Sequence, residues 1–508
     1  MAGSGKMRDE FATRGKVTAA QGEMVATQGK VVAVRENAGK RELGDPFLDA
    51  PESKKKLSLF GIFIAMTGAV SVLSVISTLL PVAALEIGGA DIYAFTSTLN
   101  AVGSAVFMPL WGYIASRKPG RKAALFSISM LVGIICFIVF ASSQSMFLVI
   151  ATGPFYGILS AGVFVLSYAM VRDMYEPKRA GLYLGICGAI MAVGAIIGPV
   201  VVGVVIQLAG WRAACLVFLP LMLIGAVMVM SGVRVSDAQA RHLATKGGKF
   251  DPVSTVFLVI ALGSFVTMLS LGVSYIPFGS ALSIVLVVVA IVFGALTVWA
   301  VIRRGDDAII PVSAVKDRDT LCFMFANLFT NFSNLAPYFF LPTYALYVLG
   351  ASATQAALTV SAFTLLSVFL SPWFGKMIGA SGSARGVLVI GTVARIAVTV
   401  ALLAAVIVHA SLPVVYVVCL FGGLASASYG AGLSAGPQIQ LKPELRVQGN
   451  SVIQMGQAFG NSIGLAIYTT IMALFGVAVG MSYALIVSAC AAGLALVFVF
   501  AMGKPAAT

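Results

Sequence analysis

Carboxamide side chains recur at helical spacing in two apolar stretches of the sequence. Intervals of four and three residues place each series along one face of an α-helix. The two series are Asn327, Asn331 and Asn334, and then Asn450, Gln454, Gln457 and Asn461. Amides surrounded by hydrocarbon need hydrogen-bond partners, so two such faces indicate a wet cavity that binds the polar groups of a small molecule.

Hydroxyl side chains form similar patterns nearer the N-terminus. The two series are Thr67, Ser71, Ser74 and Thr78, and then Ser97, Asn100 and Ser104. Such hydroxyls can bond to the carbonyl four residues earlier in their own helix, so helix packing explains them as well as a cavity does. Ser71 and Ser74 are therefore candidate cavity residues, with both interpretations open.

Arg395 is the basic residue that lies well inside an apolar stretch. It follows the nearest cytoplasmic helix end by about ten residues, or roughly 15 Å, which is farther than the side chain reaches by snorkelling. Two interpretations stay open, an anion site facing a cavity and a structural cation that extends towards the membrane surface.

The sequence offers little for catalysis or for metal binding. All six cysteines lie in apolar stretches without a Cys-x-x-Cys pair, and the two histidines, His242 and His409, are far apart. No Asp or Glu lies deep in an apolar stretch. We therefore predict that the protein is not an enzyme and that it holds no cofactor and no metal.

The composition is that of a membrane protein. Apolar residues make up 59% of the 508 residues, charged residues make up 10%, and the mean hydropathy is +0.99. A crossing needs about 20 mostly apolar residues, so the chain has room for many. Windowed hydropathy predicts fourteen spans, at 58–85, 93–115, 122–141, 145–171, 181–208, 212–232, 253–272, 281–302, 321–349, 354–376, 386–409, 411–434, 451–475 and 478–502.

The basic residues indicate the orientation of these spans. Residues 1–56 are polar and lysine-rich and predict a disordered cytoplasmic tail, which ends in Lys54-Lys55-Lys56. With this tail inside, 20 of the 22 Lys and Arg residues after residue 57 face the cytoplasm, the exceptions being Arg212 and Arg395. This asymmetry predicts that both termini are cytoplasmic. It also explains the net charge of +14 without nucleic acid as a partner.

One motif occurs twice, after the second and after the tenth span. Pro109-Leu-Trp-Gly112 opens the first copy, and Pro372-Trp-Phe-Gly375 opens the second. Matching turns predict two parallel six-helix repeats with two extra helices between them. The predicted domains are a tail at 1–56, a six-helix bundle at 57–232, a two-helix insertion with cytoplasmic loops at 233–320, and a second six-helix bundle at 321–508.

These features resemble the major facilitator superfamily, most closely its fourteen-helix drug:proton antiporter branch. The turn at 112–122 is similar to the family's loop motif after the second helix, which implies a conformational role for Gly112, Arg117, Gly120 and Arg121. The family's usual aspartate is replaced by Ser116. We expect Asp173, at the end of span four, to pair with Arg117 or Arg121.

Span five is similar to the antiporter signature through Gly194, Gly198 and Pro199. Plain packing between helices explains these residues, and the interpretation we favour is a conformational role, because packing at the interface between the two halves is part of transport. Two residues typical of the branch are absent. Val72 stands where the first helix usually has an acidic residue, and Gly153 stands where the fourth usually has an arginine. A proton carrier needs an ionisable group inside the membrane, so the sequence leaves the coupling ion open.

The leading hypothesis is a secondary transporter that exports small drug-like molecules by alternating access. An importer of an organic anion, such as a carboxylate or a bile-acid-like molecule, is the alternative favoured by Arg395. A membrane sensor that does not transport is a more distant alternative. We expect a monomer in a bacterial plasma membrane, with the lipid bilayer and the small-molecule substrate as its partners.

Overall fold

The computed structural model describes residues 50–89, 92, 94–233, 252–271, 279–308 and 310–503. These residues are almost entirely helical, and no strand occurs among them. The α-helices are α1 Glu52–Ile87, α2 Ala94–Arg117, α3 Lys122–Ser142, α4 Met146–Ala161, α5 Ser167–Met174, α6 Pro177–Leu216, α7 Leu219–Ser231, α8 Pro252–Leu271, α9 Ala281–Arg304, α10 Val312–Lys316, α11 Arg318–Leu335, α12 Leu341–Tyr347, α13 Ala353–Ser381, α14 Arg385–Ile407, α15 Leu412–Gln440 and α16 Arg446–Ala501.

Two short π-helical segments interrupt the α-helices. Gly162–Leu166 joins α4 to α5, and Ala336–Phe340 joins α11 to α12. A π-helical segment carries an extra residue in one turn and loosens the regular hydrogen-bond series, so it leaves carbonyl groups free for other partners. Single-turn 3₁₀ segments at Pro119–Arg121 and Gly305–Asp307 lie in the connections.

The first helix begins earlier than the sequence predicts. Residues 52–56 belong to α1, whereas the prediction assigned them to a disordered tail. Pro51 precedes the helix, and Glu52 places a negative charge at its N-terminus, where the helix dipole favours one. Lys55 forms an ion pair with Glu52 one turn away, at 3.9 Å, so the lysine-rich segment extends the helix. The remainder of the predicted tail, 1–49, lies outside the described residues.

Two of the long helices contain a sharp bend at a glycine. Gly210 in α6 has φ 81° and ψ 169°, and Gly476 in α16 has φ 72° and ψ 167°. Side chains with a Cβ atom rarely adopt positive φ values of this kind, so glycine permits each bend. Each bend separates two predicted spans.

Nine helical stretches among the described residues are long and apolar enough to cross a membrane. Two of them, Pro177–Ser231 and Arg446–Ala501, have 55 and 56 residues and contain the bends at Gly210 and Gly476. Each is about twice as long as a single crossing requires.

We call α1–α7 the N-terminal bundle and α11–α16 the C-terminal bundle. Between them in sequence, α8 packs in one apolar cluster with both bundles, through Leu258 and Leu262. Val106 of α2 and Val452 of α16 belong to the same cluster. The next helix, α9, contacts α8 through Phe257 and Phe293, whose ring centroids are 5.8 Å apart.

The bundles meet most closely at the helix ends that carry the basic loops. A Cβ atom at Gly375 of α13 would lie 2.3 Å from the carbonyl oxygen of Gly181 in α6. A Cβ atom at Gly112 of α2 would lie 2.6 Å from the Cβ atom of Ser451 in α16. Each copy of the repeated motif thus places its glycine against a helix of the opposite bundle. We call these two contacts the basic-side seam.

Candidate substrate cavity

A cavity of about 550 Å³ lies between the two bundles. The N-terminal bundle contributes α1, α5, α6 and the first π-helical segment, and the C-terminal bundle contributes α11, α13, α14, α15, α16 and the second π-helical segment. The lining includes most of the candidate residues found in the sequence: Ser74, Asn327, Asn331, Asn334, Arg395, Gln454 and Gln457. Asn461, the last member of the second amide series, lines it as well.

The α11 amides are ordered by hydrogen bonds. Asn327 Nδ2 donates to the Ile453 carbonyl of α16 at 2.8 Å. Asn331 Nδ2 donates to the Asn327 carbonyl at 2.8 Å and to Asn327 Oδ1 at 2.7 Å. Asn334 Oδ1 is buried and has no partner among the described residues, so the series ends in an acceptor that a ligand can use.

The α16 amides connect the cavity to the basic-side seam. Gln454 Nε2 donates to Asn450 Oδ1 at 3.4 Å, and Asn450 Nδ2 donates to the Phe164 carbonyl at 3.1 Å. Phe164 lies in the π-helical segment of the N-terminal bundle, so this second bond crosses between bundles. Asn450 itself is fully buried and does not line the cavity.

Another polar contact between bundles lies close by. Ser434 Oγ of α15 donates to the Gly430 carbonyl of its own helix at 2.6 Å and lies 3.1 Å from the Leu184 carbonyl of α6. Together with the Asn450 bond and the glycine contacts, it closes the cavity towards the basic loops. Each of these contacts is weak enough to be reversible, since a neutral hydrogen bond contributes about 0.5–1.5 kcal/mol net.

Arg395 lies in the wall formed by α14 and is only 1% exposed. Its Cζ atom is 4.8 Å from the ring centroid of Phe363 and 5.6 Å from that of Tyr429, distances at which a cation interacts with an aromatic face. Its Nε and Nη1 atoms have no hydrogen-bond partner in the described part of the chain. The side chain is thus packed within the protein and lines the cavity.

The two walls of the cavity differ in polarity. The N-terminal bundle presents mainly apolar side chains, including Val70, Leu73, Phe164 and Met191. Its Tyr168 hydroxyl donates to Met191 Sδ at 3.3 Å. The C-terminal bundle presents the amides, several hydroxyls and Arg395. A ligand that fits both walls has an apolar face and a polar face.

Ser71 faces a helix contact and does not line the cavity. A Cβ atom at Gly198 of α6 would lie 2.9 Å from the Ser71 carbonyl oxygen, and one at Gly194 would lie 3.2 Å from the Ser71 nitrogen. The glycines therefore let α6 approach α1 closely within the N-terminal bundle, and not at the interface between the two bundles. Pro199 lies within α6 one residue after Gly198.

Asp173 pairs with Lys122 and not with Arg117 or Arg121, so the predicted partner was wrong. Asp173 Oδ2 accepts a hydrogen bond from Lys122 Nζ at 2.5 Å. The Arg117 guanidinium lies over the Tyr113 ring, at 4.4 Å from its centroid. Gly120 and Arg121 form part of the exposed 3₁₀ turn that precedes Lys122. The loop motif therefore contacts Asp173 through Lys122, the last basic residue of the motif.

The absence of an arginine at position 153 of α4 has a steric explanation. A Cβ atom at Gly153 would lie 2.9 Å from the Thr96 carbonyl of α2, and one at Gly157 would lie 2.0 Å from the Gly103 carbonyl carbon. Because α4 and α2 are in backbone contact along this face, a long side chain at position 153 does not fit. The fourth span contributes other residues to the cavity, namely Phe164 from the π-helical segment and Tyr168 from α5.

Several lining residues give no signal in the sequence. Thr330, Thr364, Ser367 and Ser426 line the cavity, yet hydroxyls of this kind occur throughout membrane helices. Thr330 lies between two members of the α11 amide series, which is the one local hint of its position. Tyr429 is distinguished by its contact with Arg395, which only the folded chain shows.

Comparison with known proteins places this fold in a known class. Residues 59–306 match the sequence profile of the family described as Major Facilitator Superfamily. The human organic anion transporter MFSD10 has a similar structure, with a TM-score of 0.61 and 15% sequence identity over 89% of this chain and 100% of that one. The matched family and the similar structure are transporters, in agreement with the prediction that this chain is not an enzyme.

Curated relatives come from both fungi and bacteria. MFS-type transporter gkaD of Penicillium citrinum is 24% identical over 331 residues, which cover 62% of this chain and 55% of the relative. Multidrug resistance protein 3 of Bacillus subtilis is 22% identical over 433 residues, which cover 83% and 80%. The chain spans about half the length of several curated relatives that it matches. The described helices have the all-helical fold of solved major facilitator transporters, and residues 59–306 match the sequence profile of that superfamily.

Proposed function

We propose that the chain is a secondary active transporter that moves small organic molecules across a membrane by alternating access. The observation that carries this proposal is the cavity of about 550 Å³ between two bundles, closed towards the basic loops by reversible contacts. A cavity of this volume suits a small organic ligand. If the bundles rock apart at the seam and together at the opposite end, the same cavity opens to the other side of the membrane.

We infer fourteen crossings with both termini in the cytoplasm. The bends at Gly210 and Gly476 divide the two longest of the nine apolar stretches, which gives eleven spans, and α2, α8 and the segment from α11 to α12 supply three more. The positive-inside asymmetry supports the orientation. Single cysteines introduced at Glu10 and Pro505 should react with an impermeant maleimide from the same side. Labelling of the two cysteines from opposite sides would contradict this topology.

Export of drug-like compounds is the direction we propose. The Bacillus relative named a multidrug resistance protein covers most of this chain, which supports export. The resemblance to the drug:proton antiporter branch rests on the loop motif and on the glycines of α6. No carboxylate lines the cavity among the described residues, so an antiport proton would have to bind elsewhere.

Import of an organic anion is the second candidate. It is supported by Arg395 in the cavity wall and by the structural similarity to a protein described as an organic anion transporter. A sensor without transport activity is not favoured, because a cavity enclosed by two bundles with a reversible seam suits transport.

The purified chain in proteoliposomes tests this function. We expect uptake or efflux of at least one member of a labelled panel of anionic, neutral and cationic amphipathic compounds, in excess of protein-free liposomes. Imposing the pH and sodium gradients separately identifies the coupling ion, and the sign of the net flux gives the direction. A panel that moves no faster than in protein-free liposomes, with the chain shown to be folded and inserted, would falsify the proposal.

A further inference from the structure

Among the described residues, no carboxylate pairs with the guanidinium of Arg395. The ion pairs seen in the described residues involve Glu52, Glu86 and Asp173, all near helix ends. None of them contacts Arg395, and its nearest charged or aromatic neighbours are the Phe363 and Tyr429 rings. A buried cation without a counter-charge is costly in a membrane interior, so a group that arrives from outside can supply the missing charge.

Polar atoms around this guanidinium are also free to bind a ligand. The buried Nε and Nη1 atoms of Arg395 have no hydrogen-bond partner of good geometry among the residues that the structure describes. The hydroxyls of Tyr429 and Thr330 lie beside each other near the guanidinium, and neither forms a hydrogen bond of good geometry with a described residue. All three residues line the same cavity. A guanidinium edge with neighbouring hydroxyl donors is the chemistry that recognises a carboxylate, sulfate or sulfonate group.

The opposite wall favours an apolar body on the same ligand. Val70, Leu73, Met191 and Ala192 line the cavity from α1 and α6, across from the polar wall. The Phe363 ring packs against the guanidinium and is fully buried, so Arg395 is held in place before a ligand arrives. Preorganisation of this kind reduces the entropy that binding has to overcome.

We propose that the cavity binds an amphipathic organic anion, whose charged group lies at Arg395 and whose apolar body lies against α1 and α6. This inference rests on the proposed transport function and names the chemical class of its substrate. A purely structural Arg395, held by cation–π contacts alone, predicts no preference for anions.

Binding is measured on the purified full chain with two matched sets of probes. One set is naphthoate, naphthamide and naphthylamine, and the other is adamantane carboxylate, adamantane carboxamide and adamantylamine. The shift of the thermal unfolding midpoint with probe concentration gives each dissociation constant. We compare the wild-type chain with Arg395→Gln, Arg395→Lys and, as the matched control, Arg385→Gln. Arg385 begins the same helix, is partly exposed and does not line the cavity.

The carboxylates should bind the wild-type chain more tightly than their amides and amines. Arg395→Gln should weaken carboxylate binding about tenfold or more, because the anion loses a partly desolvated counter-charge. Arg395→Lys should retain part of the affinity, and Arg385→Gln should bind as the wild-type chain does. If Arg395→Gln lowers the amount of folded protein, the Arg395→Lys variant and the ranking of the probes on the wild-type chain still decide the question.

Several results would overturn the inference. They are equal or tighter binding of the amides or amines, carboxylate binding that survives Arg395→Gln, and no binding of either carboxylate. The same thermal unfolding measurement is made with sodium sulfate alone. If sulfate stabilises the chain as much as the carboxylates do, the cavity holds a site for inorganic anions and the inference is wrong. Transport of the amide or amine by both wild type and Arg395→Gln would refute the inference while leaving the proposed function intact. Arg395-dependent carboxylate binding without movement of any probe would instead contradict transport.

Discussion

The side-chain amide of Asn450 donates a hydrogen bond to the Phe164 carbonyl, 3.1 Å away, and so joins the C-terminal bundle to a π-helical segment of the N-terminal bundle. Gln454, which lines the cavity, donates in turn to Asn450 Oδ1. A ligand that contacts Gln454 is therefore two hydrogen bonds from the opposite bundle. We interpret this connection as a link between the occupancy of the cavity and the closure of the basic-side seam.

Removing this hydrogen bond should favour opening at the seam. We expect Asn450→Leu to shift the equilibrium by about 0.5–1.5 kcal/mol, or roughly two- to twelvefold. The measurement is the rate at which an impermeant maleimide, added from the cytoplasmic side, labels a Gln454→Cys reporter. Thr470→Val is the control, since its hydroxyl bonds only to the Ala466 carbonyl of its own helix. An unchanged labelling rate in Asn450→Leu would show that this bond does not hold the seam.

A large side chain at Gly375 should keep the seam from closing. A Cβ atom there would lie 2.3 Å from the Gly181 carbonyl and 2.7 Å from the Gly185 Cα atom, so Gly375→Leu cannot adopt the closed arrangement. Overpacking costs about 1–3 kcal/mol, which corresponds to roughly a five- to 150-fold loss of the closed state. We expect loss of transport with normal membrane insertion.

The control for this variant is Gly386→Leu. Gly386 lies at the start of α14, and a Cβ atom there would meet nothing within 4 Å. Both proteins are compared for transport and for their amount in the membrane. Transport by Gly375→Leu at the rate of the control would rule out closure at this contact.

The α11 amides should be needed for transport and not for insertion. Replacing Asn331 and Asn334 by Leu removes the donor to Asn327 and the free acceptor Asn334 Oδ1, while the helix becomes more apolar. We expect transport at the level of protein-free liposomes with unchanged expression. Thr297→Val in α9 serves as the control, because its hydroxyl bonds to the Phe293 carbonyl and lies outside the cavity. Normal transport by both Leu variants would assign these amides to packing.

An ion pair at the far end of the N-terminal bundle should make its stability depend on pH. The hydrogen bond from Arg212, followed by that from Trp211, lowers the pKa of Glu86 below its ordinary value of 4.5. A lowered pKa contributes stability above the ordinary value, and that contribution is lost as the pH falls through the folded-state pKa.

Thermal unfolding of wild type and Glu86→Gln across this range tests the ion pair. We expect the wild-type midpoint to exceed that of Glu86→Gln near neutral pH and the two to converge below pH 4.5. A difference that stays constant as the pH falls would show that the carboxylate charge does not contribute.

The sequence predicts the helices of this protein better than the contacts between them. Apolar length and basic loops indicate the helices, and amide spacing identifies the polar face of α11. The same spacing could not separate Ser71 from Ser74, because one turn decides whether a side chain meets α6 or the cavity. The predicted partner of Asp173, Arg117 or Arg121, was wrong, because Lys122 follows them on the same short turn and spacing alone does not show which basic side chain reaches the carboxylate.

The sequence also could not predict which side chains surround Arg395. Its place inside an apolar stretch is evident from the sequence, but its aromatic neighbours come from two other helices that are distant in the chain. Phe363 and Tyr429 contact it from α13 and α15, and no periodicity in either helix marks them. Only the structure shows that the Arg395 side chain is buried within the protein and does not extend towards the membrane surface.

Alternating access requires the basic-side seam to open during each transport cycle. The Lys178 Cα atom lies next to Gly379, so exposed positions Lys178 and Ala380 sit on opposite sides of the contact between α6 and α13. The most direct measurement is the transport rate of a Lys178→Cys, Ala380→Cys chain, without its native cysteines, after cross-linking with a short reducible bis-methanethiosulfonate reagent. We predict that cross-linking stops transport, that reduction restores it, and that both single-cysteine chains are unaffected. Transport by the fully cross-linked chain at the rate of its reduced form would contradict alternating access through this seam.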